Sequence, residues 1–445
     1  VDFEFMEELT SRPAVGMPVG LFTVKKKPPS QLLRMIVDGR PWNQTQFKPE
    51  KMPIPRLLET IPALQKMKYA VQYDGVSYFY QYPVRHSRFL ARRRSQWLRI
   101  CKMPMGWSAA PLIAQTTSNI VLQEAVRRLR LKNPTAQIYT ACWVDNFVLA
   151  AQSESDLKQL EELFLQVCRD GSIEVKIEDQ IDLQHTKFAG IEHDLVRHCY
   201  RPGASPHVPE EFNTLRDAMR VLGSAIWQLY SRGRRLCFYD HLISAVSRIC
   251  NPAMRGDTNW DAPIKRYLRD GDLELLNELR VHATDESWEF QPPGRSDIDD
   301  PIWFDASSTA WAFCHDNESC GAQGEFLSPE QLHIFVKEAI AFLASVTCTV
   351  SEFPGRRRKF FTDNQPLAKA FRRGHSTSGA VNRIFRQIFS LLHEHGSEIE
   401  LVWIPTDQNK SDKYTRGTSI ARPRRYATRL KEEPLVSSHA RDPVP

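Results

Sequence analysis

The chain has 445 residues, 42% of them apolar and 25% charged, and a net charge of +6. This is ordinary globular composition, with length enough for two to four packed domains, and it excludes a chain disordered throughout. No apolar run approaches the ~20 residues that span a bilayer, the longest being interrupted around Ala339–Val350, and the opening Asp2, Glu4 and Glu7 are unlike a signal peptide. Because the first residue is Val, the chain reads as a piece of something longer.

In chain order, residues 1–195 mix short strands with helices. Tyr69–Asp74 is a strand-like run ending in a carboxylate. Ala141–Ala150 has two apolar arms around Asp145-Asn146, the pattern of a hairpin with an acidic tip. Ser153 caps a helix with Asp156 at the third position. Leu157, Leu160, Phe164 and Val167 form its apolar stripe, and Gly171 ends it. Residues 196–300 read as mostly helical and close in the turn-rich stretch Pro292–Pro301. Residues 301–420 alternate strands and helices again. Strands are predicted at Ile302–Asp305, Lys359–Thr362 and Glu398–Ile404. Ser328-Pro329-Glu330-Gln331 reads as a capping box opening a helix with Ile334, Phe335, Ala339, Phe342 and Leu343. Residues 421–445, rich in Arg and Pro, read as a flexible basic tail. No internal repeat is present.

The nine cysteines are scattered without CxxC pairs. That pattern predicts a reducing, intracellular compartment, cytoplasm or nucleus, and argues against a disulfide framework or a zinc site at Cys314-His315 and Cys320. Basic clusters lie at Arg85–Arg99, Arg232–Arg235, Arg356–Lys359, Arg372–Arg373 and Arg422–Arg429, with Phe89, Trp97, Phe360, Phe371 and Tyr426 among them. Any one cluster is equally a solvated surface. Five together favour a phosphate backbone with stacked bases.

Alone, Asp74 reads equally as a helix cap and Asp145-Asn146 as a turn. In order with their neighbours they resemble the reverse transcriptase family over residues 27–195. Arg34–Asp38 with Pro41 and Asn43 looks like its fingers motif, and Met52–Pro55 with Leu57 and Leu58 like the segment leading into the palm. Tyr73-Asp74 through Phe79, then Tyr80–Val84, looks like the first palm motif. Met103–Pro111 looks like the template-gripping motif, and Phe188-Ala189-Gly190 like the primer grip. Met-Pro-Met-Gly leans toward the pararetrovirus and tyrosine-recombinase branches.

The resemblance implies an α+β multidomain chain: a right-hand polymerase of fingers, palm and thumb, then an α/β ribonuclease H-like domain. It implies two Mg²⁺ (or Mn²⁺) ions per active site, held in the palm by Asp74 and Asp145, because nucleotidyl transfer clamps the attacking and leaving oxygens between two hard cations. Lys27 (equally one of three surface lysines), Arg34, Phe79, Met105 and Gly106 fall at nucleotide-binding positions. Phe79 is either the aromatic that excludes a ribose 2′-hydroxyl or a core residue. Two departures stand out: Asn146 replaces the second of the paired aspartates, losing a negative charge, and Trp143 replaces the usual Tyr. Lys176 is the candidate for the later palm lysine.

After residue 300, Asp305, Glu338, Asp363 and Asp412 occur in a strand–helix–strand–helix–strand order. With Ala306-Ser307, Thr362-Asp363-Asn364 and Asn409–Asp412, Arg416 and Gly417 around them, they resemble the ribonuclease H family over residues 301–418. Four converging acids imply two divalent metals. Pro405–Ser411 lacks the histidine that many members carry, which predicts slower product release. Residues 196–300 take the place of thumb and connection, with Arg220–Gly223, the helix-like Ala225–Tyr230 and the phosphate-holding candidates Arg232, Arg234 and Arg235.

The reading is an RNA-directed DNA polymerase with ribonuclease H activity, serving a retroelement. Its partners are an RNA template, a DNA primer, the RNA/DNA hybrid and deoxynucleoside triphosphates, with no membrane. The competing readings are a nuclease with an inactivated polymerase, or a non-catalytic domesticated RNA-binding copy.

Overall fold

The computed structural model describes residues 6–13, 16–25, 33–45, 51–84, 89–93, 95–178, 182–203, 208–290, 295–318, 320–326 and 329–423. It is a mixed α/β chain that divides into two compact units, residues 1–203 with 287–291, and residues 204–286 with 292–445.

The first unit contains the hairpin β1 (Gly20–Lys25) and β2 (Leu33–Asp38). Its centre runs through α1 (Leu57–Gln65), β3 (Tyr69–Gly75), α2 (Ala110–Lys132), β4 (Ile138–Trp143), β5 (Asn146–Ala151), α3 (Glu154–Asp170) and β6 (Val175–Ile177). The hairpin β7 (His185–Phe188) and β8 (Ile191–Asp194) follows. Strands β6, β3, β5 and β4 pair antiparallel in that order. Side chains alternate across the sheet. Val71, Tyr73, Cys142, Phe147 and Leu149 therefore face one core, shared with Ala114, Leu122, Leu160 and Phe164 of α2 and α3. Ala70, Ala141, Val148 and Ala150 face another, shared with Leu64 and Phe188. Helix α3 starts as predicted, with the Ser153 hydroxyl accepting from the Asp156 amide, and ends at Gly171.

The β4–β5 tip falls one residue earlier than the sequence reading placed it. The turn residues are Val144 and Asp145, and Asn146 already pairs with Trp143. Register with β3 fixes this, because Asn146 also stands opposite Asp74. Val144 is left-handed, φ 58, a conformation that costs a β-branched residue about 1–3 kcal/mol. Two fully buried side chains of α2 hold it there: Gln115 Oε1 accepts from the Val144 amide at 2.8 Å, and the Ser118 hydroxyl donates to its carbonyl at 2.5 Å.

In the second unit α4 (Leu215–Ser231), α5 (Asp240–Arg255) and α6 (Asp272–Ala283) pack around Leu215, Leu222, Leu242, Val246, Leu276 and Leu279. A full capping box, Thr214 with Asp217, opens α4. Next come β9 (Asp297–Ala306), β10 (Ala310–His315), β11 (Cys320–Glu325), α7 (Ile334–Thr349), β12 (Arg357–Thr362), α8 (Gln365–Arg373), α9 (Gly379–Glu394), β13 (Glu398–Trp403), α10 (Asp412–Thr415) and β14 (Arg422–Pro423). The strands form a six-stranded sheet in the order β13-β12-β9-β10-β11-β14. The run β9-β10-β11 is antiparallel, and β12 and β13 are parallel to β9. Helices α7, α8 and α9 close a core of aromatic rings in stacked and edge-to-face contact, among them Phe304, Phe342, Phe360, Phe371 and Phe385.

Three expectations need correction. Helix α7 does not open at the predicted capping box: Pro329–Gln331 is a 3-10 turn, His333 is the cap with its ring accepting from the Phe335 amide, and Ser328 lies outside the described residues. Ring capping competes with a helical backbone at His333 and delays the start. Second, Arg422–Pro423 pairs with Cys320–Gly321 as β14, so the sheet extends past residue 420; residues 424–445 lie outside the described ones. Third, Ile334–Glu352 is, among the described residues, a helical segment apolar and long enough to cross a membrane. Its burial under the sheet marks it as a core helix.

Candidate active site

The C-terminal unit gathers acids at one end of its sheet. Asp305 sits near the end of the central strand β9, Glu338 in the second turn of α7, and Asp363 just after β12. One carboxylate oxygen from each lies within 4.8 Å of the others. Asp305 and Glu338 are 5% and 4% exposed. Thr415 donates to Asp305 Oδ2 at 2.6 Å, and the Trp403 indole N–H donates to the Asp363 carbonyl at 3.0 Å. Both bonds orient acids that sequence reasoning listed, through residues it missed. Buried Lys337, beside Glu338, donates to the Ser308 carbonyl.

Burial, then the neighbouring Asp363 and Asp412 charges, push the Asp305 carboxyl up to about 6, against the bond from Thr415. Burial, then Asp305 and Asp363, push Glu338 up to about 9. Glu338 Oε2 is buried with no hydrogen-bond donor, although buried polar atoms are normally satisfied. An orphaned carboxylate oxygen facing two further acids fits a hard divalent cation, which takes oxygen ligands and offsets their repulsion. The fourth predicted acid, Asp412, lines the same cleft of about 590 Å³ with Ser307, Thr406 and Arg416. Its Oδ1 is held by Arg416 at 2.8 Å, outside the close trio.

A second trio, Asp300, His315 and Glu352, surrounds buried Arg358, which reaches Asp300 at 3.1 Å and Glu352 at 3.0 Å. A guanidinium at its centre makes this an ion-pair network.

In the N-terminal unit one polar sheet face carries Asp74, Gln72, Asn146, Lys176 and Glu178. Asp74 stands opposite Asn146 on one side and Lys176 on the other, with Lys176 Nζ at 3.6 Å. The Asn146 amide is occupied at both ends: its oxygen accepts from Gln72 at 2.8 Å and its nitrogen donates to Glu178 at 2.9 Å. Gln72 and Glu178 were not anticipated. Asp145 sits in the clamped turn, its carbonyl accepting from the Gly75 amide at 2.8 Å. Among the described residues, no group of three close metal-ligating side chains includes Asp74 or Asp145.

Around this face, Phe188 is buried against Ala141 and Val148, and Ala189 and Gly190 form a two-residue hairpin turn with φ 50 and 80. The structure also joins two stretches that the sequence reading kept separate. Asn43 Nδ2 donates to the Gly106 carbonyl at 2.8 Å while its oxygen accepts from the Ser108 amide at 2.9 Å. The Met105 carbonyl accepts from the Val37 amide at 3.3 Å. Gly106, φ +109, has no room for a Cβ, which would lie 2.1 Å from the Val37 carbonyl oxygen. Phe79 is half-buried against the core that includes Tyr78 and Tyr82. Arg34 lies on β2 with its side chain outside the described residues, and Lys27 lies outside them altogether.

No family model matches the sequence, and no curated protein matches it either. Among solved structures, the chain is similar to a foamy viral protease-reverse transcriptase in complex with double-stranded DNA, at 15% identity and a TM-score of 0.47, over 90% of this chain and 67% of that one. A second foamy viral protease-reverse transcriptase complex with double-stranded DNA gives 14% identity and a TM-score of 0.44, over 91% and 80%.

Proposed function

We propose that the chain is the polymerase–ribonuclease H portion of a retroelement reverse transcriptase, and that its C-terminal unit hydrolyses RNA in RNA/DNA hybrids. The observation that carries this is the convergence of Asp305, Glu338 and Asp363 around an orphaned, buried oxygen. Asp305, Glu338, Asp363 and Asp412 would hold Mg²⁺ or Mn²⁺. Such ions activate a water and neutralise charge on the departing oxygen. Thr415 and Trp403 keep two of the acids in place. In the N-terminal unit Asp74 and Asp145 serve nucleotidyl transfer, with Phe188-Ala189-Gly190 as primer grip.

The test is Mg²⁺-dependent cleavage of a labelled hybrid, with an expected loss of at least ~10³-fold in Asp363→Asn, about 4 kcal/mol of barrier. Cleavage that persists in this variant removes the cleft from the chemistry.

One observation favours a second reading, a nuclease with a silent polymerase half. The Asn146 amide is used up by Gln72 and Glu178, where a carboxylate would oppose Glu178. Primer extension on an RNA template by the chain and by Asn146→Asp decides between them. Extension by the unmodified chain supports the polymerase; silence rescued by Asn146→Asp supports the second reading.

A further inference from the structure

The polar face of the N-terminal sheet carries a chain of hydrogen bonds with a fixed direction. The Thr186 hydroxyl donates to Gln72 Oε1 in a long bond of 3.4 Å. Gln72 Nε2 donates to Asn146 Oδ1 at 2.8 Å, and Asn146 Nδ2 donates to Glu178 Oε2 at 2.9 Å. These bonds join β7, β3 and β5 to Glu178, the residue just past β6. Glu178 is held in register by its own amide, which donates to the Gln72 carbonyl at 2.9 Å. A surface Asn–Glu contact needs no further partners. Here the contact is continued inward by Gln72 and Thr186, 3% and 5% exposed.

A carboxylate only accepts, whereas an amide donates from its nitrogen and accepts at its oxygen. With Glu178 at one end, Asn146 must turn its nitrogen toward that carboxylate and its oxygen toward Gln72. Buried Gln72 must then turn its nitrogen to Asn146 and its oxygen to a donor, which Thr186 supplies. An aspartate at 146 would set two acceptors against each other at the Glu178 end. The amide at 146 and the acid at 178 are therefore one matched choice.

The pair also preserves charge. Asparagine and aspartate share one shape, so Asn146 Nδ2 occupies the place of an aspartate's second oxygen. Glu178 Oε2 lies 2.9 Å beyond it. The negative charge missing from the hairpin is thus present one hydrogen bond away, on the face where Asp74 stands opposite Asn146. Lys176, the neighbouring cation, is drawn to Asp74 at 3.6 Å. We propose, resting on the polymerase reading, that Glu178 is a positioning residue of the nucleotidyl-transfer site, supplying through Asn146 the negative charge that residue 146 lacks. The two positions have exchanged acid and amide, where the silent-polymerase reading counts only a loss.

The experiment is primer extension on an RNA template, with thermal melting of the full chain, for Glu178→Gln, Asn146→Asp and the double variant. Glutamine at 178 keeps an oxygen for the Asn146 nitrogen but drops the charge. The melting temperature should therefore hold while extension falls roughly tenfold, as for a unit charge removed at short range. Asn146→Asp sets two carboxylates 2.9 Å apart. It should lower extension, and the melting temperature by about 2–4 °C. The double variant restores one acid and one amide in reversed order, with Gln72 and the new glutamine both donating to the new aspartate, and should recover both readings. Hybrid cleavage should stay constant throughout. If the chain extends primers and Glu178→Gln extends them as well, the charge is not supplied from 178; the proposal falls and the polymerase reading stands. Asn146→Asp alone raising extension would likewise overturn it, because the charge was then missing. A double variant no better than the worse single one would show that 146 and 178 are not a pair. If neither the chain nor any variant extends a primer, the polymerase reading fails and takes the role of Glu178 with it.

Discussion

The two acidic sites differ in what stands around their carboxylates. In the C-terminal cleft the acids face one another, Glu338 keeps an oxygen without a donor, and burial raises two of the acids. On the N-terminal sheet face the polar groups are already paired: Asp74 with Lys176, and Asn146 with Gln72 and Glu178. The first arrangement is unstable without a cation, and the second is balanced without one. Carboxylates in the expected order are therefore not equivalent evidence; local charge balance separates them.

The sharpest way to break this contrast is Asp74→Ala. It should abolish primer extension, if the chain shows any, and leave hybrid cleavage intact; parallel loss of both would mean that the two sites are not independent. The next effect is on stability. A folded state that keeps Glu338 protonated up to about pH 9 holds a proton that the unfolded chain releases near 4.5, so stability is present at low pH and falls as pH rises between them. Asp305, raised to about 6, acts in the same sense over the lower part of that window. The melting temperature of metal-free protein should fall from about pH 5 to about pH 9 and recover with Mg²⁺, and Glu338→Gln should flatten the upper part of the curve. A wild-type curve already flat would contradict the crowded cleft. Gln115→Ala should cost about 1–3 kcal/mol, the usual consequence of leaving a buried partner unmade, and should weaken extension but not cleavage; denaturant melts with both assays test it. The smallest effect is Phe79→Val, expected to raise ribonucleotide incorporation several-fold at unchanged stability of the C-terminal unit. No change in sugar selection would return Phe79 to its core role.

Much of this was legible in the sequence because it depends on local pattern. Strand-like apolar runs marked β3, β5, β12 and β13, and Ser153 with Asp156 and Gly171 bounded α3 closely. The acids of the cleft follow from strand ends and helix starts, which short-range signals mark. What stayed hidden were partners supplied by other segments. Glu178 and Gln72 meet Asn146 only through sheet register, and Trp403 reaches Asp363 only across β12 and β13. The pair Gln115 and Ser118 left a faint trace, as polar residues on the apolar stripe of α2 with Ala114, Val121 and Leu122. The late start of α7 was missed because a side-chain cap at His333 imitates nothing in the preceding sequence.

The turn at Val144 has a consequence for which substitutions this fold tolerates. A left-handed turn position usually belongs to Gly or Asn, whose backbones reach it cheaply. Here a valine occupies it, so the turn's shape is imposed from outside, by an amide oxygen and a hydroxyl on a helix some thirty positions earlier in the chain. The clamp at residue 144 is made to its backbone amide and carbonyl, so it depends on Gln115 and Ser118 and not on the valine side chain. The aim of Asp145 is in effect encoded in α2, and a change there would redirect the acid without altering any residue of the hairpin that bears it.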